Sequence, residues 1–209
     1  MSETTGAYDG GAVGVSSGVV SGSRVATALG WRPVEALAVG DLVLTFDGGL
    51  QPITRITRRL VWVGDATAPR KLWPLHVPAG ALGNRNEQYL LPNQFVMIES
   101  DAGEDLFGDP FSLIKANALS GVNGIEATPP VAQQEAVVLH FDCDQVIFDE
   151  TGVLFYCPSS AGLLDHASTS YNALANDDAE VLMMCIESDA ATGLIWKAEP
   201  EMAPAYAMA

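Results

Sequence analysis

Three neighbouring runs decide the fold: Gly22-Ser23-Arg24-Val25-Ala26-Thr27, Gly30-Trp31-Arg32-Pro33-Val34-Glu35-Ala36-Leu37 and Val39-Gly40-Asp41-Leu42-Val43-Leu44-Thr45. Arg24 to Thr27 is a short strand-like run. Leu29 to Pro33 reads as a turn, because Gly and Pro interrupt regular structure. Val34 to Leu37 has room for a single helical turn or a loop. Asp41 to Thr45 follows as a strand. Asp47-Gly48-Gly49 then makes a hairpin turn, since glycine tolerates the positive φ that tight turns require.

Outward from this block the chain keeps its β character. Gln51 to Val63 is a long β-rich run, and Leu72 to Val77 and Tyr89 to Glu99 are further strands, separated by Gly80 and Gly83. Asp101 to Pro110 reads as an acidic loop and Phe111 to Leu119 as a short helix before the turn at Gly121 to Gly124. Ala136 to Phe148 is an apolar strand or a hairpin pivoting near Asp142, and Gly152 to Tyr156 is one more strand. Short strands with turn residues every 8–12 positions or so predict an all-β domain. Upstream, residues 1–17 form a loose Gly/Ser-rich arm, with one strand near Gly18 to Val20. Past residue 160 the character changes: Ala173 to Glu187 is compatible with a helix, and residues 161–209 read as an acidic, partly helical appendage.

Composition narrows the function classes. With 48% hydrophobic and 17% charged residues among 209, the chain can build a sizeable core. Ten basic against 26 acidic residues give a formal charge of −16, which argues against a nucleic-acid partner, because phosphate binding needs clustered Lys and Arg. The acidity is uneven: residues 1–85 hold eight basic and six acidic side chains, residues 86–209 two and 20. Cys143, Cys157 and Cys185 are odd in number and lack Cys-x-x-Cys spacing, so neither a disulfide framework nor a cysteine zinc site is expected. No apolar run reaches the roughly 20 residues of a membrane-spanning helix. The start Met1-Ser2-Glu3-Thr4-Thr5 lacks signal-peptide character, which leaves a cytoplasmic location or export by a signal-independent route.

The opening block resembles the start of a Hint (hedgehog/intein) domain of the bacterial type. Those domains begin with a nucleophile in a C-F-x-P-G-T-x-I-x-T pattern, followed by x-P-V-E-x-L-x-x-G-D-x-V-L-T. Asp47-Gly48-Gly49-Leu50-Gln51-Pro52-Ile53 and Ala79-Gly80-Ala81-Leu82-Gly83-Asn84-Arg85 continue the likeness, which covers roughly residues 18 to 160. The resemblance implies a twisted all-β fold and self-cleavage or splicing, in which an N-terminal Cys or Ser attacks the preceding peptide carbonyl. Such chemistry needs a nucleophile, a proton carrier and polarisation of the scissile carbonyl. Counting back from Gly22-Ser23, the nucleophile's position falls on Gly18, with Ser17 one residue away. The second block, an S-P-Q-H pattern, corresponds to Leu91-Pro92-Asn93-Gln94-Phe95, and Phe95 is read at the histidine. A third histidine, in an L-D-x-H-x-V-like segment, corresponds to Asp144. Glycine cannot attack, phenylalanine cannot move a proton, and an ionised aspartate serves as a base but not as an acid.

Two other groupings of polar residues stand out. His140, Asp142, Cys143 and Asp144 offer a Cys–His pair, but alternation along a strand sends His140, Asp142 and Asp144 to one solvated face and buries Cys143. Asp101-Glu104-Asp105-Asp109 and Asp177-Asp178-Glu180 suit a hard cation in type but lack EF-hand spacing, and His76 and His166 stand alone. No metal and no cofactor is expected. The leading expectation is a Hint-like scaffold without autoprocessing, acting as a structural or protein-binding module. Its partner is a protein or a second copy, engaged by strand addition through the Val- and Gly-rich arm at 11–22. The alternatives are self-cleavage at a serine of that arm and a calcium-stabilised extracellular module.

Overall fold

The β-hairpin predicted at Asp47-Gly48-Gly49 anchors the architecture. A computed structural model describes residues 17–61, 69–130, 134–159 and 171–191. The arm before Ser17, His166 and the tail beyond Ala191 lie outside the described residues. Strand β4 (Leu42–Thr45) turns at Gly49, φ +65°, into β5 (Gly49–Pro52), and the two pair antiparallel from Thr45↔Gly49 to Leu42↔Pro52. Before them come β1 (Val19–Val20), β2 (Arg24–Thr27) and β3 (Gly30–Pro33), the last followed by a single 3₁₀ turn over Val34–Ala36. The turn read at Leu29 to Pro33 is therefore a hairpin whose second arm is β3. It closes at Thr27↔Gly30, where Gly30 carries a positive φ.

The remaining elements are β6 (Arg55–Val61), β7 (Leu75–Val77), β8 (Gln88–Leu90), β9 (Phe95–Glu99), α1 (Asp101–Phe107), β10 (Phe111–Lys115), β11 (Glu126–Ala127), β12 (Gln134–His140), β13 (Gln145–Phe148), β14 (Leu154–Cys157) and α2 (Asn176–Ala191). One eight-stranded sheet runs β10-β9-β14-β13-β4-β2-β3, with β5 also on β4. Two three-stranded sheets run β1-β12-β6 and β11-β7-β8. The all-β prediction holds, with a short helix near the C-terminus. The main core gathers Val25, Val43, Ile53, Ile114, Leu139, Phe141, Ile147 and Phe155. Side chains of this kind, each fully buried, contribute roughly 1.5–3 kcal/mol apiece. Leu174, Ala179, Leu182, Met183 and Ile186 join the same core, so α2 packs into the domain through one face.

Several local expectations change: the single strand read at Tyr89 to Glu99 is two strands, β8 and β9, in different sheets. The acidic loop at Asp101 to Pro110 contains helix α1: the Ser100 side chain caps it by accepting the Gly103 N–H, and Gly108 closes it in the left-handed region at φ +76°. Asp101 and Glu104 in its first turn sit where the helix dipole favours negative charge. The helix expected from Phe111 is a strand, β10, paired along its length with β9. On its other side the Leu113 N–H donates to Asn172 O and the Leu174 N–H to Leu113 O. Only Ala116–Leu119 turns, as 3₁₀. The run Ala136 to Phe148 is neither one strand nor a hairpin, because β12 and β13 belong to different sheets and the chain pivots between them at Asp142 and Cys143.

Candidate functional site

The region that the sequence places at the chemistry is organised by Gln94. A turn brings its N–H to Leu91 O at 3.0 Å, and its carbonyl accepts the Ala116 N–H at 2.8 Å. The side chain is only 3% exposed, and every polar valence is used. Gln94 Nε2 donates to Phe95 O at 2.8 Å and Tyr156 O at 2.9 Å, while Oε1 accepts the Gly18 N–H at 2.7 Å. Ser17 Oγ lies 3.4 Å from the same oxygen. Two carbonyls on one side and an N–H on the other leave the amide a single sensible orientation. One side chain therefore ties the entry to β1, the start of β9 and the end of β14 together.

Gly18 sits at φ +127°, a backbone conformation that L side chains rarely adopt. A Cβ there would lie 3.1 Å from Val138 Cγ2 and 3.2 Å from Val137 O. The adjoining Val19 and Val20 pair with Val137 and Ala136 of β12 and are buried. This end of the arm is thus paired to β12 inside the domain, as the edge strand of its sheet. Residues 11–16 lie outside the described residues.

Phe95 is not the side chain that meets Gly18. It packs edge-on against Tyr156, ring centroids 6.0 Å apart, with Lys115 Nζ 5.8 Å from its own ring centroid. The Leu91-Pro92-Asn93-Gln94 run explains the discrepancy: matched letter for letter, S-P-Q-H ends on Gln94, one residue before Phe95. Asp144 stands just past the pivot, where Oδ1 accepts the Ser159 N–H at 2.7 Å. The Tyr156 phenol has its pKa raised by burial first and by the nearby Asp144 charge second, so it keeps its proton. A cleft of about 240 Å³ opens beside these groups, lined by Ser17, Gln94, Phe95, Lys115 and Tyr156 among others. It holds a hydroxyl, an amide, a phenol and an ammonium group. None of these is a base in contact with Ser17, because an amide oxygen accepts a hydrogen bond without taking the proton.

The polar cluster at 140–144 does not assemble a Cys–His pair, nor does it form one solvated face. His140 is buried, with Thr57 Oγ1 3.2 Å from Nε2 and the Arg55 guanidinium 3.3 Å from the ring nitrogens. Cys143 is exposed at the pivot. Strand alternation misassigned both because β12 ends at His140. Cys157 is the buried thiol instead, its pKa pushed up to about 12 by burial. His76 pairs with Glu87 at 3.0 Å. Among the described residues no three His, Cys, Asp or Glu side chains come together in a metal-binding group.

His140 carries a pH prediction. Burial, and then the neighbouring Arg55 charge, lower its pKa below the ordinary 6.5. The folded state therefore binds this proton less readily than the unfolded chain, and stability falls as pH drops through about 6.5 toward the folded value. Urea midpoints measured from pH 7.5 to 5.5 are expected to decline in the native protein and to decline less in His140→Gln. Equal slopes would remove His140 from the account.

A family model described as Hint domain matches residues 18–153. No curated protein sequence matches the chain. Among solved structures, a bacterial intein-like domain from Clostridium thermocellum is similar at 16% identity and TM-score 0.44, covering 67% of this chain and 98% of its own. The MchDnaB-1 intein is similar at 15% identity and TM-score 0.42, covering 66% and 98%. The AceL NrdHF class 3 split intein is similar at 18% identity and TM-score 0.36, covering 68% and 98%. By the match across residues 18–153, this chain belongs to the Hint domain family.

Proposed function

We propose that this Hint domain has kept its scaffold, no longer processes its own backbone, and serves as a protein-binding module. The observation that carries the reading is the hydrogen bond from the Gly18 N–H to Gln94 Oε1. A glycine stands at the position resembling the family nucleophile, and an amide stands where the S-P-Q-H pattern ends in histidine. Glycine offers no attacking atom, and an amide moves no proton. Asp144, at the third position, is engaged by the Ser159 N–H. What remains is a rigid β scaffold with large apolar side chains exposed on neighbouring strands and turns, Leu29, Trp31, Leu42 and Leu50. Exposed apolar groups collected in one region suit a partner surface.

Self-cleavage at Ser17 has one observation in its favour, the position of that hydroxyl in the cleft beside Gln94. Among the described residues no base contacts that hydroxyl, whose one partner is the Gln94 amide oxygen. The two readings part on intact mass: purified chain held for days with hydroxylamine or thiol is expected to stay whole, and a cut within residues 15–22 would overturn the binding-module reading.

A further inference from the structure

A second cavity, of about 220 Å³, lies where the start of β2, the edge strand β8 and the β13–β14 turn meet. Its lining includes Arg24, Glu87, Gln88, Asp149 and Glu150. Two of these side chains are buried, Asp149 at 2% exposure and Gln88 at 8%. Asp149 Oδ1 accepts the Thr151 N–H at 2.8 Å and the Thr151 hydroxyl at 2.5 Å. Asp149 Oδ2 has no hydrogen-bond partner among the described residues, and neither does either amide atom of Gln88. Buried polar groups are normally satisfied, because losing water without a replacement bond is costly. Asp149 Oδ2 and Gln88 Oε1, on two side chains of one cavity lining, point to a missing donor, while Gln88 Nε2 lacks an acceptor.

Charge and geometry define that donor. Asp149, Glu150 and Glu87 surround the cavity against the single cation Arg24, which is paired with Glu150 at 3.4 Å. A positive group is therefore favoured. A metal ion is not, since no three candidate ligands come together among the described residues. A guanidinium presents several N–H donors in one plane and can meet a carboxylate oxygen and an amide oxygen at once, which a compact ammonium does less well.

We propose that this cavity receives an arginine side chain of a partner protein, with Asp149 Oδ2 and Gln88 Oε1 accepting its N–H bonds. Both acceptors are shut from solvent in the unbound chain, and the Gln88 amide, which has no hydrogen bond of its own among the described residues, turns to admit the group. The inference deepens the binding-module reading and rests on it for the partner. The affinity of the cavity for guanidinium does not depend on that reading.

The test titrates the full chain with acetyl-arginine amide and, in parallel, acetyl-lysine amide, following the Gln88 side-chain amide and the Thr151 N–H by heteronuclear NMR. Saturable shifts with the arginine probe are expected, about tenfold weaker with lysine. Asp149→Asn retains Oδ1 for both Thr151 bonds and is expected to keep its fold, checked by thermal melting, while weakening the arginine response about tenfold. Gln88→Leu serves as a second variant and is expected to weaken it as well. No saturable shift, an equal lysine response, or unchanged binding in a folded Asp149→Asn or Gln88→Leu protein would overturn the proposal. A cleaved chain in the mass experiment would sink the module reading and leave this titration standing. A failed titration on an uncut chain would sink the cavity alone.

Discussion

Gln94→Ala is expected to lower the unfolding free energy by about 3 kcal/mol, the largest single effect at the site. The substitution strips the acceptor from the Gly18 N–H and both donors from the carbonyls of Phe95 and Tyr156. Each buried group left unmet costs about 1–3 kcal/mol, and partial rehydration through the adjoining cleft offsets part of the sum. Gln94→Glu separates the two functions of the amide. It keeps an acceptor for Gly18 but sets a carboxylate against two carbonyl oxygens, so its loss is expected to match that of alanine. Gln94→His keeps the acceptor and at most one donor, and is expected to lose about half as much. Urea unfolding at pH 7 reads all three. A loss under about 1 kcal/mol in Gln94→Ala would show that the amide does not tie the three segments together.

Gly18→Cys, which puts a thiol back at the position resembling the family nucleophile, is expected to destabilise the chain by about 2 kcal/mol and to produce no cleavage by itself. The backbone at φ +127° disfavours any Cβ, and the 3.1 Å approach to Val138 Cγ2 obliges that side chain or the arm to move. Gly18→Ala isolates this backbone and steric cost and should lose nearly the same amount. A thiol alone also lacks a proton carrier, since its neighbour Gln94 is an amide. Stability equal to the native chain in both variants would mean that the arm takes another conformation at Gly18.

Much of the architecture was legible because turn chemistry and strand runs agreed. Asp47-Gly48-Gly49, the run Leu42–Thr45 and the helix near the C-terminus are each marked by glycine placement or composition over several residues. Helix α1 was masked by its own residues: Asp, Gly and Glu read as loop, yet Ser100 and Gly108 already bracket the segment as caps. Phe111–Lys115 carries mostly apolar residues that suit a strand or a buried helix equally, and only its pairing with β9 decides. His140 and Cys143 exchanged their expected environments because period-2 alternation stops where a strand stops. The sequence signal for Gln94 is its place at the end of the run matching S-P-Q-H, but an uncharged amide does not by itself suggest chemistry. Its bonds to the distant Gly18 and Tyr156 exist only in the fold.

The charge asymmetry has a counterpart in the fold. The second half, with 20 acidic residues against two basic ones, supplies Glu87, Asp149 and Glu150 around the proposed arginine cavity. The first half supplies the single cation at that rim, Arg24, which is paired with Glu150.

The central claim, a Hint scaffold without its chemistry, is tested most directly by the intact mass of the native chain during prolonged incubation at neutral pH in hydroxylamine. An ester formed at a serine of the arm would be captured irreversibly there, so even slow acyl transfer accumulates as product. The account predicts one species of unchanged mass throughout. A growing pair of fragments, the downstream one beginning at Ser16, Ser17 or Ser21, would contradict it.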